Sequence, residues 1–407
     1  MASLKALKIL DLTRVAPNPN SPHSAAEFSL PLTFFDAFWI KFPPVERVFF
    51  YQLTDSNPHH FISVILPKLK HSLSLTLLHY LPLAGSIIWP DDAPKPSIHY
   101  TQNDAVSLIV AESNADFHRL SGDGIRESVE LRSLVPELLT CDDKASLISL
   151  QITFFPNQGF CLGVTNHHAI MDGMSVLMFM KSWAYICKQA EENPALLPEL
   201  TPLFDRTVIR DPAGLDMVYL KNWSDFFNSG RTNKHLSLKV MQNLGVNPNS
   251  ARATFKLTSE DVKILKQRVL SIINKVERDD QMNPKKQQAS VMEENGIGIV
   301  AEKISDIIKG IDEKELYEGG EKRLTKSWDM EQGAQVIGVA GSIRFEVYGV
   351  DFGWGRPKKV EIVSTDRTGA IALAESREGN GVEIGVVLSP HEFDVFASLF
   401  VSGLQNL

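Results

Sequence analysis

His168 and Asp172 stand four residues apart in the run Thr165 to Gly173 (Thr-Asn-His-His-Ala-Ile-Met-Asp-Gly). An imidazole has an ordinary pKa near neutrality, so a histidine held against an alcohol can take its proton. A carboxylate four residues on shares a helix face with it and can orient the ring, as in a catalytic triad, or simply hold the turn. The spacing is a modest signal by itself, because the chain has 11 histidines and 49 acidic residues. A histidine that only hydrogen-bonds within a strand–helix junction fits the same pattern, and the residues alone leave both readings open. Gly173 gives the turn backbone room, and His167 reads as loop scaffolding. A second run, Asp351 to Gly355 (Asp-Phe-Gly-Trp-Gly), pairs two aromatics suited to packing, Phe352 and Trp354, with two turn glycines, Gly353 and Gly355.

Elements must deliver these residues. The apolar run Gly159 to Val164 predicts a strand that carries the histidine to a turn, and Met174 to Trp183 has helical spacing. Upstream, residues 61–80 predict a helix stopped by Pro82 to Gly85, and residues 98–100, 107–111 and 147–155 predict strands. Prolines crowd the stretch from Glu191 to Pro212, which marks a crossover between two units. Beyond it come a helical stretch, a strand at 253–257, and a helix from Ser259, the expected N-cap. Strands are expected at 335–339, 345–348, 360–363, 370–373 and 382–388, with Asp351 to Gly355 in a segment of strand character. A helix over 391–404, with Pro390 just before it suiting a helix start, closes the pattern.

With 407 residues, two domains are expected. Hydrophobic residues at 43% and charged residues at 22% are ordinary for a globular protein. A net charge of −8 argues against nucleic acid as a partner. No apolar run approaches the ~20 residues of a membrane span, and the N-terminus scatters charges where a signal peptide needs an apolar core. Cys141, Cys161 and Cys187 are too few and too spread for a disulfide framework or a zinc site, so a reducing cytosol and no metal are expected. Cys161 reads as a buried structural thiol.

On His168 to Gly173 together with Asp351 to Gly355, the chain resembles the plant BAHD acyl-CoA-dependent acyltransferases. Leu30 to Asp36, Phe42 to Tyr51, Leu69 to Leu75, Phe204 to Pro212 and Asp351 to Ile362 resemble the anthocyanin and phenolic glucoside malonyltransferase branch. The resemblance implies an α/β fold of two chloramphenicol-acetyltransferase-like domains with mixed β-sheets and flanking helices, joined by a crossover loop. The units would be residues 1–190, bearing His168 and Asp172, and 215–407, bearing Asp351 to Gly355, with 191–214 between them. A monomer is expected, with a solvent channel between the domains that acyl-CoA enters from one side and the acceptor from the other.

The implied activity is transfer of a malonyl group from malonyl-CoA, a co-substrate and not a tightly bound cofactor, to a sugar hydroxyl of a phenolic or flavonoid glucoside. His168 would act as general base without an acyl-enzyme. Asp172 would point away from the channel and pair with an arginine. Asp351 through Gly355 would shape the channel, Ser342 and Arg344 would lie near the reacting centre or the CoA, and Lys256 and Lys358 could meet CoA phosphates. A malonyl carboxylate calls for an arginine or lysine, and the sequence selects none. Phe34, Phe35, Phe38 and Trp39 could stack on the acceptor, although packing suits most of them. Family members carry an apolar strand–helix segment, an arginine-containing stretch and a Tyr-Phe-Gly-Asn-Cys motif where Gln287 to Asn295 here runs straight across. A missing core segment of roughly forty to fifty residues is more than a surface loop tolerates. Two alternatives follow: a hydroxycinnamoyl-CoA-dependent anthocyanin acyltransferase, or a truncated inactive member.

Overall fold

The computed structural model describes residues 7–53, 57–90, 92–189, 194–228, 237–241, 249–282, 296–310, 320–322, 325 and 336–406. Residues 287–295, where the sequence points to a missing segment, lie outside these. The chain forms mixed sheets flanked by helices, as expected. A six-stranded sheet runs in the order Lys8–Val15, Val106–Glu112, Ile148–Phe155, Gly159–Asn166, Val45–Gln52 and Lys359–Ile362. Its second and third strands are parallel and the other neighbours antiparallel. Ile148–Phe155 and Gly159–Asn166 are buried along their whole length; the second reads as an apolar run up to Val164, while the first keeps an apolar–polar alternation although both its faces are covered.

A five-stranded sheet takes Val339–Gly341, Ile371–Glu375, Val382–Leu388, Ala251–Leu257 and Arg126–Glu127 in that order. The two sheets exchange strands across the halves of the chain: Lys359–Ile362 pairs with Val45–Gln52, and Arg126 and Glu127 pair with Arg252 and Ala251. A four-stranded sheet, Phe28–Pro31, Ser97–Tyr100, Ser86–Ile88 and Lys144–Ser146, lies in the first half.

The helix Gly173–Lys188 packs against Leu66–His79 on one face of the large sheet. The Trp183 indole N–H is shared between the Leu69 carbonyl at 3.2 Å and the Ser72 hydroxyl at 3.0 Å, so a buried donor is satisfied at the contact. Leu69, Leu73, Leu77, Phe49, Leu177 and Trp183 close this core. The proline-rich stretch that follows is strapped to the first half. The Tyr80 hydroxyl donates to the Leu200 carbonyl at 3.0 Å, and Arg206 Nη1 meets Asp36 Oδ2 at 3.0 Å.

Several local expectations need correction. The first long helix starts at Pro58 and includes a wider turn over Phe61–Ile65. It is long and apolar enough by composition to cross a membrane, contrary to the reading that no run approaches that length, and 44% of its apolar window is buried inside the protein. It ends before Tyr80. Pro82 sits in the first turn of the next helix, Leu81–Ala84, where its missing N–H costs nothing. Thr258, and not Ser259, caps Ser259–Met282: its hydroxyl accepts from Asp261 N–H at 3.1 Å while Asp261 Oδ2 accepts from Thr258 N–H at 2.8 Å. Phe345 to Tyr348 is not a strand. Glu346 takes a left-handed φ of 53° and a 3-10 turn follows at Val347–Gly349. Of the strand expected at 335–339, residues 336–338 are irregular and pairing begins at Val339. The closing helix, Pro390–Gln405, takes in Pro390, one residue before the expected start at His391, behind a Ser389–Glu392 capping box.

Candidate active site

The strand Gly159–Asn166 ends at the loop that carries His167 and His168, and the helix Gly173–Lys188 begins directly after Asp172. This loop is fastened from within. Asn166 Nδ2 donates to the Met171 carbonyl at 3.0 Å, and His167 N–H donates to the Leu147 carbonyl at 2.9 Å. Ile170 N–H closes back on the His167 carbonyl at 3.0 Å. A rigid strand–loop–helix unit thus presents His168.

The His168 ring is partly exposed and lies flat on the Trp39 indole, with centroids 4.1 Å and planes 10° apart. Phe42 flanks it at 6.2 Å. Its Nδ1 is buried and has no hydrogen-bond partner of normal geometry. Burial pushes the His168 pKa below the usual histidine value, while its own carbonyl and the Asp172 charge pull the other way. The neutral imidazole, the form that accepts a proton, is therefore favoured. His167 is fully buried and accepts from the Ala169 N–H through Nδ1 at 3.3 Å. Burial lowers its pKa to about 3, so it stays neutral at working pH.

Asp172 does not touch the ring. Its Oδ1 accepts from the Ser175 N–H at 2.8 Å and caps the helix, its side chain is exposed, and among the described residues it makes no ion pair. A triad hydrogen bond is therefore not formed, and Asp172 reaches His168 only through its field. Gly173 earns its identity by close approach: a Cβ there would stand 2.6 Å from the Phe345 ring. The loop holding Ser342, Arg344 and Phe345 is thereby brought against the start of the histidine helix. Ser342 Oγ accepts from the Arg344 N–H at 3.2 Å, and the Arg344 side chain is exposed. Lys181 Nζ donates to the Phe345 carbonyl at 3.3 Å and pins the loop from the helix side.

Asp351 to Gly355 is a turn and not a strand. Asp351 Oδ1 accepts from the N–H groups of Gly353 at 2.8 Å and Gly355 at 3.0 Å, and both glycines have left-handed φ, 103° and 95°. Phe352 is buried between Tyr51 and Trp183, and Trp354 stands edge-on to Phe160 at 6.0 Å. Tyr51 pairs with Phe160 at one end of the strand pair and Val45 with Asn166 at the other. At ~3.3 Å per residue, this turn and the histidine loop are on the order of 20 Å apart. Lys256 and Lys358 are also engaged elsewhere: Lys256 meets Asp123 at 3.0 Å with Glu378 and Glu383 at 3.8 Å, and Lys358 Nζ meets His118 Nδ1 at 2.8 Å.

Sequence reasoning gave Trp39 only as an aromatic that could stack on the acceptor, and it did not single out Lys41 or Arg47. Trp39 supports the imidazole itself. Its helix, Phe34–Trp39, is fixed by a Thr33–Asp36 capping box, and Arg206 clamps Asp36. Phe34 and Phe38 pack in the core beneath it, while Phe35 is exposed. Lys41 is buried, with its ammonium donating to the Ser237 and Lys239 carbonyls, and burial lowers its pKa to about 8. Arg47 is buried on the strand Val45–Gln52. The signal for both cations was available: Lys41 is a charge between Ile40 and Phe42, and Arg47 follows Glu46 at the start of the apolar run Val48 to Tyr51.

The model of the Transferase family matches residues 7–277 and 281–401. Phenolic glucoside malonyltransferase 1 of Arabidopsis thaliana is 40% identical over 472 aligned positions, covering 98% of each chain. The Arabidopsis malonyl-CoA:anthocyanidin 5-O-glucoside-6''-O-malonyltransferase is 38% identical, covering 98% of this chain and 99% of its own. The first alignment is longer than the 407-residue chain, so that relative carries residues with no counterpart here. Among solved structures, vinorine synthase superposes with a TM-score of 0.64 at 17% identity and covers 96% of both chains, which shows the shared fold.

Proposed function

The chain belongs to the BAHD acyl-CoA-dependent transferase family, and from that premise we propose that it transfers a malonyl group from malonyl-CoA to a sugar hydroxyl of a phenolic or flavonoid glucoside. Members of the family use acyl-CoA as co-substrate. The observation that carries the chemistry is His168: a neutral imidazole, stacked on Trp39, with no carboxylate bonded to Nδ1. In the proposed reaction it takes the proton of the sugar hydroxyl as the oxygen attacks the thioester carbonyl. The tetrahedral intermediate collapses, the carbon–sulfur bond breaks, and the imidazolium returns the proton to the CoA thiolate. No residue is acylated. Asp172 supports this role through its charge, which favours the imidazolium that forms, and through the helix it caps.

Residues 1–190 and 215–407 would be the two acyltransferase units and 191–214 their crossover, with Asp351 to Gly355 shaping the channel from a distance and the loop of Ser342 and Arg344 meeting the start of the histidine helix through Phe345. A monomer in the cytosol goes with this reading, supported there by Cys141, Cys161 and Cys187 being free thiols. The test feeds the full chain malonyl-CoA and p-coumaroyl-CoA with a flavonoid glucoside, and reads product mass. A malonylated glucoside is expected. Only a coumaroylated product would make the donor aromatic, and no product from either would mark an inactive member.

A further inference from the structure

A narrow, partly open cleft lies between the six-stranded and five-stranded sheets. Arg47, Phe345, Val347, Ile362, Leu373 and Gly385 are among the residues on its wall. Phe345 is the residue that packs on Gly173, so the cleft reaches the start of the histidine helix. Arg47 pairs in register with Val164, four residues before His168 on the strand that delivers it. The cleft is mostly apolar, and three cations line it: Arg47, Arg252 and Lys359.

Two of the three are matched. Arg252 donates to the Val363 carbonyl at 2.9 Å and lies 3.4 Å from Glu361. Lys359 is held by Asp123 at 2.7 Å and Glu383 at 2.8 Å. Arg47 is not matched. It is 3% exposed, its Nε and Nη1 are buried without a hydrogen-bond partner, and among the described residues it makes no ion pair. Glu375 is within electrostatic reach, but one of its oxygens accepts from the Tyr348 N–H at 3.1 Å and the other also lacks a partner. Burial already strains the guanidinium, lowering its pKa to about 10. Buried donors normally find acceptors, and an unmatched buried cation is destabilising unless a ligand supplies its partner. A planar guanidinium is suited to a bidentate carboxylate.

We propose that this cleft receives the acyl group of the donor and that Arg47 binds its free carboxylate, making Arg47 the residue that selects a dicarboxylic acyl thioester over a simple one. This rests on the malonyl reading of the site and identifies the cation that reading requires.

The test compares malonyl-CoA with acetyl-CoA, which lacks the carboxylate, by calorimetric titration of the full-length wild type, Arg47→Met and Arg47→Lys, with the melting temperature of each protein read without ligand. Arg47→Met should weaken malonyl-CoA by about 30-fold or more, as expected for loss of a buried charge partner, and leave acetyl-CoA within about threefold. Arg47→Lys should keep part of the malonyl preference. Because the buried Nε and Nη1 of Arg47 have no hydrogen-bond partner and no ion pair forms among the described residues, Arg47→Met should melt no lower than the wild type, and about 2–4 °C higher if the unmatched charge is costly. An Arg47→Met protein that melts lower or does not fold would make Arg47 structural and overturn the proposal. So would equal losses for both thioesters, or a malonyl preference that survives. If the wild type transfers malonyl to glucosides but shows none of this discrimination at Arg47, the Arg47 assignment alone falls. If the wild type takes only aromatic thioesters, the donor reading falls and this assignment falls with it.

Discussion

Trp39→Leu separates the two things the indole does for His168. The rings lie 4.1 Å apart and nearly parallel, so the stack restricts the imidazole to one plane while shielding it from water. A buried aromatic pair contributes about 0.5–1.5 kcal/mol beyond its area, so loss of this orientation lowers the plateau of kcat/KM by roughly two- to twelvefold. The second effect has a definite sign. Burial is the largest influence on His168 and lowers its pKa, because it disfavours the charged ring. Leucine covers less of the ring than tryptophan, water returns, and the pKa rises toward the ordinary histidine value near 6.5. The unprotonated ring is the active form, so the acidic limb of the rate profile moves to higher pH. The variant-to-wild-type ratio should therefore fall as pH drops from 8 to 5.5. The assay is release of CoA thiol with malonyl-CoA and a phenolic glucoside across pH 5–9, with Phe35→Leu as a control on an exposed neighbour. An acidic limb that stays in place at full plateau rate, or one that moves to lower pH, would refute this view of Trp39.

His167 should make stability pH-dependent. Its folded pKa of about 3 lies below the unfolded value of about 6.5, so its contribution is intact above pH 6.5 and is lost as pH falls toward 3. The slope is about 1.4 kcal/mol per pH unit in that window; denaturant midpoints at pH 7.5 and 5 should differ less in His167→Gln than in wild type, and parallel losses would contradict the assignment. Asp351→Ala removes two hydrogen bonds to turn N–H groups, at 2.8 Å and 3.0 Å. It should cost about 1–2 kcal/mol in denaturant unfolding and leave the KM for the glucoside within about twofold, since the turn is on the order of 20 Å from the histidine loop.

The central unit of the site was legible because its information is local. A fully buried strand, a polar loop and an amphipathic helix follow one another from Gly159 to Lys188, and each has its own pattern. The strand expected at Phe345 to Tyr348 failed because its alternation of apolar and polar residues mimics a strand, while Glu346 takes a left-handed turn that alternation does not encode. At Asp351 to Gly355 the glycines did signal turns and the aromatics packing, and only the strand character given to the segment failed. The cap at Thr258 was misplaced by one residue because Thr258 and Ser259 are both good caps, and only the reciprocal bond from Asp261 decides between them. The stack of Trp39 on His168 joins residues 129 positions apart, and the pairing of Lys359–Ile362 with Val45–Gln52 spans over 300. Local pattern carries no record of such contacts. Arg47 lay between these cases: a charge in the run Val45 to Tyr51 was visible, but its lack of a partner was not.

His168 carries the proposed chemistry. The decisive measurement is the single-turnover rate of malonyl transfer to a phenolic glucoside by wild type and His168→Ala, with intact-protein mass followed through the reaction. Loss of the general base should slow transfer by about 10²–10⁴-fold, with no malonylated protein at any time in the wild type. A His168→Ala protein that transfers at the wild-type rate, or a malonyl adduct on the chain that forms and decays at the rate of turnover, would contradict it.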